Sequence, residues 1–217
     1  MISTESPRRN SPFATLRQFV REKALTAVER CELCGADMAA AEHEHLIEPA
    51  SRKLLCACRP CAILFSGGVG TKYKSVPRRT RFLPDFKLTD GQWDGLLIPI
   101  SIAFIFQSTP DGKIVALYPS PAGPTESLLA LDSWDEIVRD NPVLQKMEPD
   151  VEALLVNRVG DAREHYLAPV DECYKLVGLI RAHWRGFSGG QKVWEEIEVF
   201  FAGLKERGSP AGETSRA

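Results

Sequence analysis

The pattern of apolar and polar positions changes about 95 residues into the chain. After this point, the apolar runs LLIPISIAFIFQS and IVALYPS stand on either side of the turn sequence TPDGK, an arrangement that is typical of a β-hairpin. SLLALD is a candidate third strand, and EALLVNRVGDAREHYLAPV predicts two more short strands around Gly160 and Asp161. The second half of the chain is therefore expected to form an antiparallel sheet.

Helical periodicity is found between and after these strands. SWDEIVRDNPVLQKM is predicted to be helical on both sides of a break before Pro142. Two amphipathic helices follow near the end of the chain, with a break at Gly186 between them. Their apolar faces consist of Val170, Cys173, Tyr174, Val177, Ile180 and Trp184, and then of Val193, Trp194, Ile197, Phe200, Phe201 and Leu204. We therefore predict an α+β domain with two C-terminal helices over residues 95–207, and a disordered tail over residues 208–217.

The first third of the chain has a different pattern. Residues 1–11 are polar and contain proline, which predicts a disordered tail. Apolar residues recur at helical spacing between Pro12 and Arg30, and this predicted helix leads into a cysteine-rich segment. Residues 12–66 are therefore predicted to be a helix plus a metal-binding module. Residues 67–94 are rich in glycine, proline and basic side chains, which indicates a linker.

The cysteine-rich segment contains five of the six cysteines of the chain. Cys31 and Cys34 form one Cys-x-x-Cys pair, and Cys58 and Cys61 form a second pair after an interval of 23 residues. Two such pairs supply the four thiolates of a tetrahedral zinc site, and Gly35 lets the backbone turn beneath the ion. The spacing predicts a small zinc-knuckle module of the zinc-ribbon or treble-clef-like kind, with these four cysteines as ligands.

Three further residues of the segment are candidate substitutes for a thiolate, or neighbours of a ligand sulfur. Cys56 lies two positions before Cys58, and His43 and His45 share a face if their segment is extended. Iron is the alternative metal, because a rubredoxin-type site also uses two Cys-x-x-Cys pairs. Cys56, Cys58 and Cys61, together with Cys31 or Cys34, could also hold an iron–sulfur cluster. Either iron site would indicate an electron-transfer protein.

The same segment resembles the zinc-stabilised HNH nucleases. His45-Leu-Ile-Glu-Pro49 is similar to their histidine-bearing element, and LLCACRPC is similar to their returning knuckle. The resemblance implies one histidine that activates water and another, just after the last cysteine, that holds a divalent ion. Ala62 stands at that second position, and Arg52 and Lys53 stand where an asparagine is usual. The resemblance therefore implies a degenerate nuclease.

The overall charge of the chain does not favour nucleic acid or a membrane surface as a partner. The chain has 27 basic and 29 acidic side chains, which gives no overall attraction to nucleic acid or anionic membranes. A basic stretch with interspersed aromatic residues is the candidate contact for phosphates, and its basic residues are Lys72, Lys74, Arg78, Arg79 and Arg81.

The longest apolar run, residues 96–106, is too short for a membrane helix and contains Pro99. The N-terminus lacks the apolar stretch of a signal peptide, so a cytoplasmic protein is expected, in which clustered cysteines indicate metal binding.

The second half of the chain offers no acid–base or nucleophile set. Cys173 lies on an apolar helix face and is predicted to be a core residue. His165 in a predicted strand and His183 near a helix end are predicted to be structural or solvated. Trp184 and Arg185, at the break between the last two helices, are candidate contacts for a protein partner. These features favour a protein that is not an enzyme.

Several segments together carry a resemblance that extends from about residue 12 to residue 206. They are Cys31-Glu-Leu-Cys34-Gly35, LLCACRPCAILF, YLAPVDECYKLVGLIRAHWRG and VWEEIEVFF. In these segments the chain resembles an uncharacterised bacterial family encoded beside nickel–iron hydrogenase genes. The resemblance implies a role in hydrogenase biogenesis or electron transfer, with a hydrogenase subunit or maturation factor as partner. We therefore expect a zinc-binding accessory protein without enzymatic activity.

Overall fold

The computed structural model describes residues 29–39, 43–68, 70–127, 131–186 and 188–210. The helix predicted before the first cysteine lies outside these residues except for its last two positions, and so do the predicted tail over residues 1–11 and residues 211–217. The described residues form antiparallel sheets, five α-helices and one 3-10 helix. The predicted α+β class is therefore confirmed.

Short strands surround the cysteines in the first third of the chain. The elements are β1 (Glu29–Arg30), β2 (Asp37–Met38), β3 (Glu44–Glu48), β4 (Lys53–Ala57), α1 (Arg59–Ser66) and β5 (Lys74–Ser75). β1 pairs with β2, and β3 lies between β4 and β5 in a three-stranded sheet. Residues 29–39 and 43–66 are called the cysteine-rich module below. β1 takes up the last two positions of the predicted helix, because these residues pair with β2 on the other side of the first knuckle.

The remaining strands form a seven-stranded sheet in the order β12-β6-β11-β10-β7-β8-β9. These strands are β6 (Arg81–Phe82), β7 (Ile102–Ser108), β8 (Lys113–Ser120), β9 (Gly123–Ser127), β10 (Glu152–Asn157), β11 (Glu164–Pro169) and β12 (Ser209–Pro210). All pairs are antiparallel except β12 with β6. The predicted hairpin is confirmed by β7 and β8, and the two strands predicted around Gly160 and Asp161 are confirmed by β10 and β11.

The third strand starts earlier than predicted. β9 begins at Gly123 and ends at Ser127, the first residue of SLLALD, and Leu131 already belongs to a helix. The reason is a tight reversal in which Ser120 Oγ donates a hydrogen bond to the carbonyl of Gly123. Gly123 has a φ of +126°, a value that other residues rarely adopt. The chain therefore pairs with β8 directly after this reversal, and residues 128–130 of SLLALD lie outside the described residues.

Helices cover both faces of the large sheet. They are α2 (Asp90–Gly95), α3 (Leu131–Asp140), a 3-10 helix (Pro142–Lys146), α4 (Val170–His183) and α5 (Gln191–Arg207). Phe104 and Leu155 pack on the side of α4 and α5, whereas Ile105 and Leu154 pack on the side of α2 and α3. Because both faces are buried, the central strands are continuous apolar runs. The predicted breaks before Pro142 and at Gly186 are both present. No helix in these described ranges is long and apolar enough to cross a membrane.

The segment 67–94, where the sequence predicts a linker, contributes β5 to the small sheet and β6 to the large sheet. It also contains most of α2, whose Trp93 packs in the core on one face of the large sheet. Ile47 of the module and Val76 after β5 belong to the same apolar core as Phe104 of the large sheet. Arg52, in the turn between β3 and β4, lies 2.8 Å from Asp111 of the large sheet's first hairpin. The cysteine-rich module and the sheet therefore share one core. β12 likewise begins within the predicted C-terminal tail and pairs with β6.

Two glycine substitutions should change stability in opposite directions. Gly178 lies exposed within α4, and a Cβ added there meets no atom within 4 Å, so Gly178→Ala should raise the free energy of unfolding by about 0.5–1 kcal/mol. Gly35 is equally free of neighbours but has a φ of +74°, so Gly35→Ala should lower it by about 1 kcal/mol. Denaturant titration of the metal-loaded variants measures both changes. If both variants changed the free energy of unfolding in the same direction, the positive φ of Gly35 would not be the reason that glycine is needed there.

Candidate metal centre

The first Cys-x-x-Cys pair lies in the turn between β1 and β2. The N–H of Gly35 donates to the carbonyl of Cys31 over 2.8 Å, and the N–H of Cys31 donates to the carbonyl of Ala36 over 2.9 Å. The positive φ of Gly35 closes this turn. The knuckle thereby brings Cys34 back beside Cys31.

The second pair lies where β4 ends and α1 begins. Cys58 is the extended residue that precedes the helix, and Cys61 lies within the first turn. Pro60 occupies the first turn as well, where a residue without an N–H is tolerated. The knuckle, the β3–β4 hairpin and the helix that begins at the second knuckle correspond to the treble-clef-like form of the predicted module.

The four sulfurs of these two pairs lie within 4.8 Å of one another. Cys34 Sγ and Cys58 Sγ are 3.7 Å apart, and all four cysteines are reduced. A tetrahedral ion with metal–sulfur bonds of about 2.3 Å needs sulfurs about 3.8 Å apart. Cys31 and Cys61 are buried, whereas Cys34 is exposed. The cluster could therefore hold one metal ion at the edge of the module.

The pKa values of two thiols of the cluster, Cys31 and Cys61, are shifted in opposite directions. Burial opposes the ionisation of Cys31, but backbone N–H groups of the two knuckles, that of Cys58 foremost, lower the pKa of its thiol to about 6. Burial, followed by the neighbouring sulfurs, raises the pKa of Cys61 to about 12. The Cys31 thiolate therefore forms readily at neutral pH, whereas a bound cation would favour the ionised form of Cys61.

The position where the nuclease resemblance requires a second histidine holds Ala62. Its side chain is buried in the small core of the module beside Leu46 and Leu55. A histidine there would have to leave this core to hold an ion. The described residues therefore lack the second ligand that the nuclease resemblance implies.

Cys56, His43 and His45 form a second group of donor atoms, which lie within 4.8 Å of one another. His45 and Cys56 are direct partners in the register of β3 and β4, and such partners point to the same face of a sheet. His43 Nε2 lies 3.0 Å from His45 Nε2. The structure thus groups these three residues with one another and not with the four cysteines.

Two carboxylates contact the far side of the two imidazoles. His45 Nδ1 lies 2.6 Å from Asp171 Oδ2 at the start of α4. His43 Nδ1 lies 3.0 Å from Glu29 Oε2 of β1, at ion-pair distance but without hydrogen-bond geometry. The hydrogen bond that His45 donates to the Asp171 carboxylate, opposed by burial, raises the pKa of His45. Burial, followed by the carboxylates of Glu32 and Glu29, raises the pKa of Cys56.

The basic stretch predicted to contact phosphates is paired with carboxylates of the same chain. Each of its five side chains has an acidic partner at 2.5–3.5 Å. The pairs are Lys72 with Glu48, Lys74 with Asp150, Arg78 with Glu44, Arg79 with Glu148 and Arg81 with Glu152. Most of the positive charge is thereby neutralised within the fold, which weakens the argument for nucleic-acid binding.

The other candidate residues of the second half have structural surroundings. Cys173 is fully buried in the core. His183 Nδ1 lies 3.1 Å from the carbonyl of Leu179 at the end of α4. Trp184 is half-buried, and its Nε1 donates to the carbonyl of Gly186. Arg185, by contrast, is exposed beside it.

His165 should make the protein acid-sensitive. Its side chain is buried in β11 and stacks on Phe86, and burial, followed by the charge of Arg158, lowers its pKa to about 4. The unfolded chain binds this proton near pH 6.5, so stability is complete above that pH and falls between pH 6.5 and 4. We expect a loss of about 2 kcal/mol between pH 7.5 and 5. His165→Gln should flatten this dependence in urea titrations, and an unchanged slope would contradict the assignment.

The fold and the sulfur cluster together define an α+β protein with a four-cysteine cluster that could hold a metal ion. A family model matches residues 30–208, and the chain belongs to that family, the family of unknown function DUF5947. Searches of curated proteins and of solved structures gave no match.

Proposed function

We propose that this chain is a cytoplasmic, non-enzymatic zinc-binding accessory protein, in which the metal stabilises a module that docks on a protein partner. The observation that carries this proposal is the cluster formed by Cys31, Cys34, Cys58 and Cys61, whose sulfurs lie within 4.8 Å of one another. Four protein ligands leave no coordination position for a substrate, which is the arrangement of structural zinc sites.

The spacing of the sulfurs supports a single ion. An iron–sulfur cluster would place its own iron and sulfide atoms between the cysteines and would hold their sulfurs farther apart than 4.8 Å. One iron ion would fit the same four thiolates, and the protein would then be an electron carrier. Zinc is favoured because the second knuckle is the first turn of a helix, with Ala62 after Cys61 where a rubredoxin knuckle has glycine.

The docking surface that we propose lies on α1, directly after the second knuckle. Ile63, Leu64 and Phe65 are exposed to 66%, 73% and 45%. Consecutive exposed apolar side chains of this size are typical of protein-binding surfaces. Because α1 begins between two of the proposed zinc ligands, loss of the metal would displace this surface. A hydrogenase subunit or maturation factor is the proposed partner, and this part of the proposal rests on the resemblance to proteins encoded beside nickel–iron hydrogenase genes.

Genetic complementation tests this function. Deletion of the gene in its source organism should lower nickel–iron hydrogenase activity in cell extracts, and the wild-type gene should restore it. A gene with Ile63→Ser and Leu64→Ser should fail to restore it although the protein accumulates. The matched control is Val199→Ser, which changes an equally exposed apolar residue, 68% accessible, on α5. Full hydrogenase activity in the deletion strain would refute the proposed partner.

A further inference from the structure

We propose that His43, His45 and Cys56 form a second metal site, which binds one zinc-like transition-metal ion and leaves a coordination position open to an adjacent pocket. This second site goes beyond the proposed function, which needs only the ion of the four-cysteine cluster.

The donor atoms converge as a metal site requires. The two Nε2 atoms are 3.0 Å apart, and tetrahedral zinc with Zn–N bonds of about 2.0–2.1 Å needs nitrogens about 3.3 Å apart. Cys56 Sγ lies within 4.8 Å of the donor atoms of both histidines. β3 and β4 bring His45 and Cys56 together because they are register partners. The three side chains therefore surround one point.

The two carboxylates orient the imidazoles towards that point. Asp171 contacts His45 at Nδ1, and Glu29 contacts His43 at Nδ1. A carboxylate on one ring nitrogen stabilises the tautomer whose other nitrogen carries a free lone pair, and histidine ligands of metals commonly have such a partner. Two lone pairs would then face each other across 3.0 Å. A cation between them would convert this unfavourable contact into two coordinate bonds.

The surroundings favour a cation and leave room for one more ligand. His43 and His45 line a pocket of about 250 Å³ whose wall also includes Asp171 and Glu172. Arg78 is the basic residue of this wall, and its charge is partly offset by an ion pair with Glu44. Two imidazoles and one thiolate suit zinc, cobalt or copper. Three protein ligands beside a pocket leave the fourth position to water or an exchangeable ligand.

Metal counting by native mass spectrometry tests this site. The purified, reduced protein is equilibrated with Zn²⁺, and then with Co²⁺, whose ligand-field spectrum reports thiolate and imidazole ligation. We expect two ions per chain. His43→Ala and Cys56→Ser should each bind one ion, whereas His183→Ala, which removes a histidine at the end of α4, should bind two. Asp171→Asn keeps all three ligands and should weaken the second ion about 10- to 100-fold.

The outcomes separate this proposal from the proposed function. Cys34→Ser should lose the ion of the four-cysteine cluster. Cys56→Ser should lose only the second ion, and its circular dichroism spectrum should equal that of the wild type. One ion per wild-type chain, bound equally by Cys56→Ser, would overturn the second site and leave the first intact. In that case the two histidines would form only a proton-shared pair. Loss of a single ion upon Cys34→Ser, with the second retained, would support both sites.

Discussion

Removal of the metal from the four-cysteine cluster should unfold the two Cys-x-x-Cys knuckles while the β3–β4 hairpin and the seven-stranded sheet stay folded. The module's own apolar core is small and includes two of the proposed ligands, Cys31 and Cys61. Without an ion, no coordinate bond links the sulfurs of the first knuckle to those of the second. Because the free energy of metal binding is also folding free energy in such modules, we expect the loss to exceed about 5 kcal/mol.

Hydrogen exchange measured with and without a chelator would show this local unfolding. The amides of Cys31 and Gly35, which close the first knuckle, and the amide of Glu32, which bonds to the carbonyl of Cys56, should lose protection. β3 and β5 should retain part of theirs, since Ile47 and Val76 lie in the main core. Cys34→Ser should reproduce the effect of the chelator, and Cys56→Ser should not. Unchanged protection of the first knuckle would contradict a structural role for the metal.

Ile47→Ala should destabilise the whole protein by about 3–4 kcal/mol. Ile47 is 2% exposed and belongs to the same core as Phe104 and Val76. Its truncation leaves a cavity between the module and the sheet. Because the surrounding side chains are closely packed, they cannot fill this cavity unless the backbone moves. The measurement is urea-induced unfolding of the metal-loaded protein.

Ile63→Ala is the matched control for this substitution. Ile63 is 66% exposed on α1, so the same truncation should change stability by less than about 0.5 kcal/mol. A loss below about 1 kcal/mol for Ile47→Ala would mean that the module and the sheet do not share a core. The comparison of the two variants thus tests whether the module packs against the large sheet, a contact that the prediction of a linker over residues 67–94 does not include.

Long, strongly patterned elements could be predicted from the sequence, whereas very short ones could not. β7, β8, β10 and β11 are apolar runs of six to eight residues, and α4 and α5 have clear apolar faces. β5, β6 and β12 contain two residues each, too few to show any periodicity. Their pairing depends on distant strands, so residues 67–94 have the composition of a linker although they pair with both sheets.

The two groups of donor atoms show the same limit. The spacing of Cys31, Cys34, Cys58 and Cys61 predicts a four-sulfur cluster, because both pairs are local motifs. His43, His45 and Cys56 are also evident as candidate residues, but their grouping depends on the register of β3 and β4. Asp171 could not be foreseen, since it lies 126 positions after His45. No local pattern connects residues so far apart.

Elemental analysis of protein purified without air or added metal, together with its visible spectrum, tests the four-cysteine zinc site most directly. We predict a colourless protein that contains zinc, and a Cys34→Ser variant that has lost one equivalent. Iron with thiolate-to-iron absorption would make the protein an electron carrier and would contradict the proposed accessory role. A wild-type protein without any bound metal would contradict the site itself.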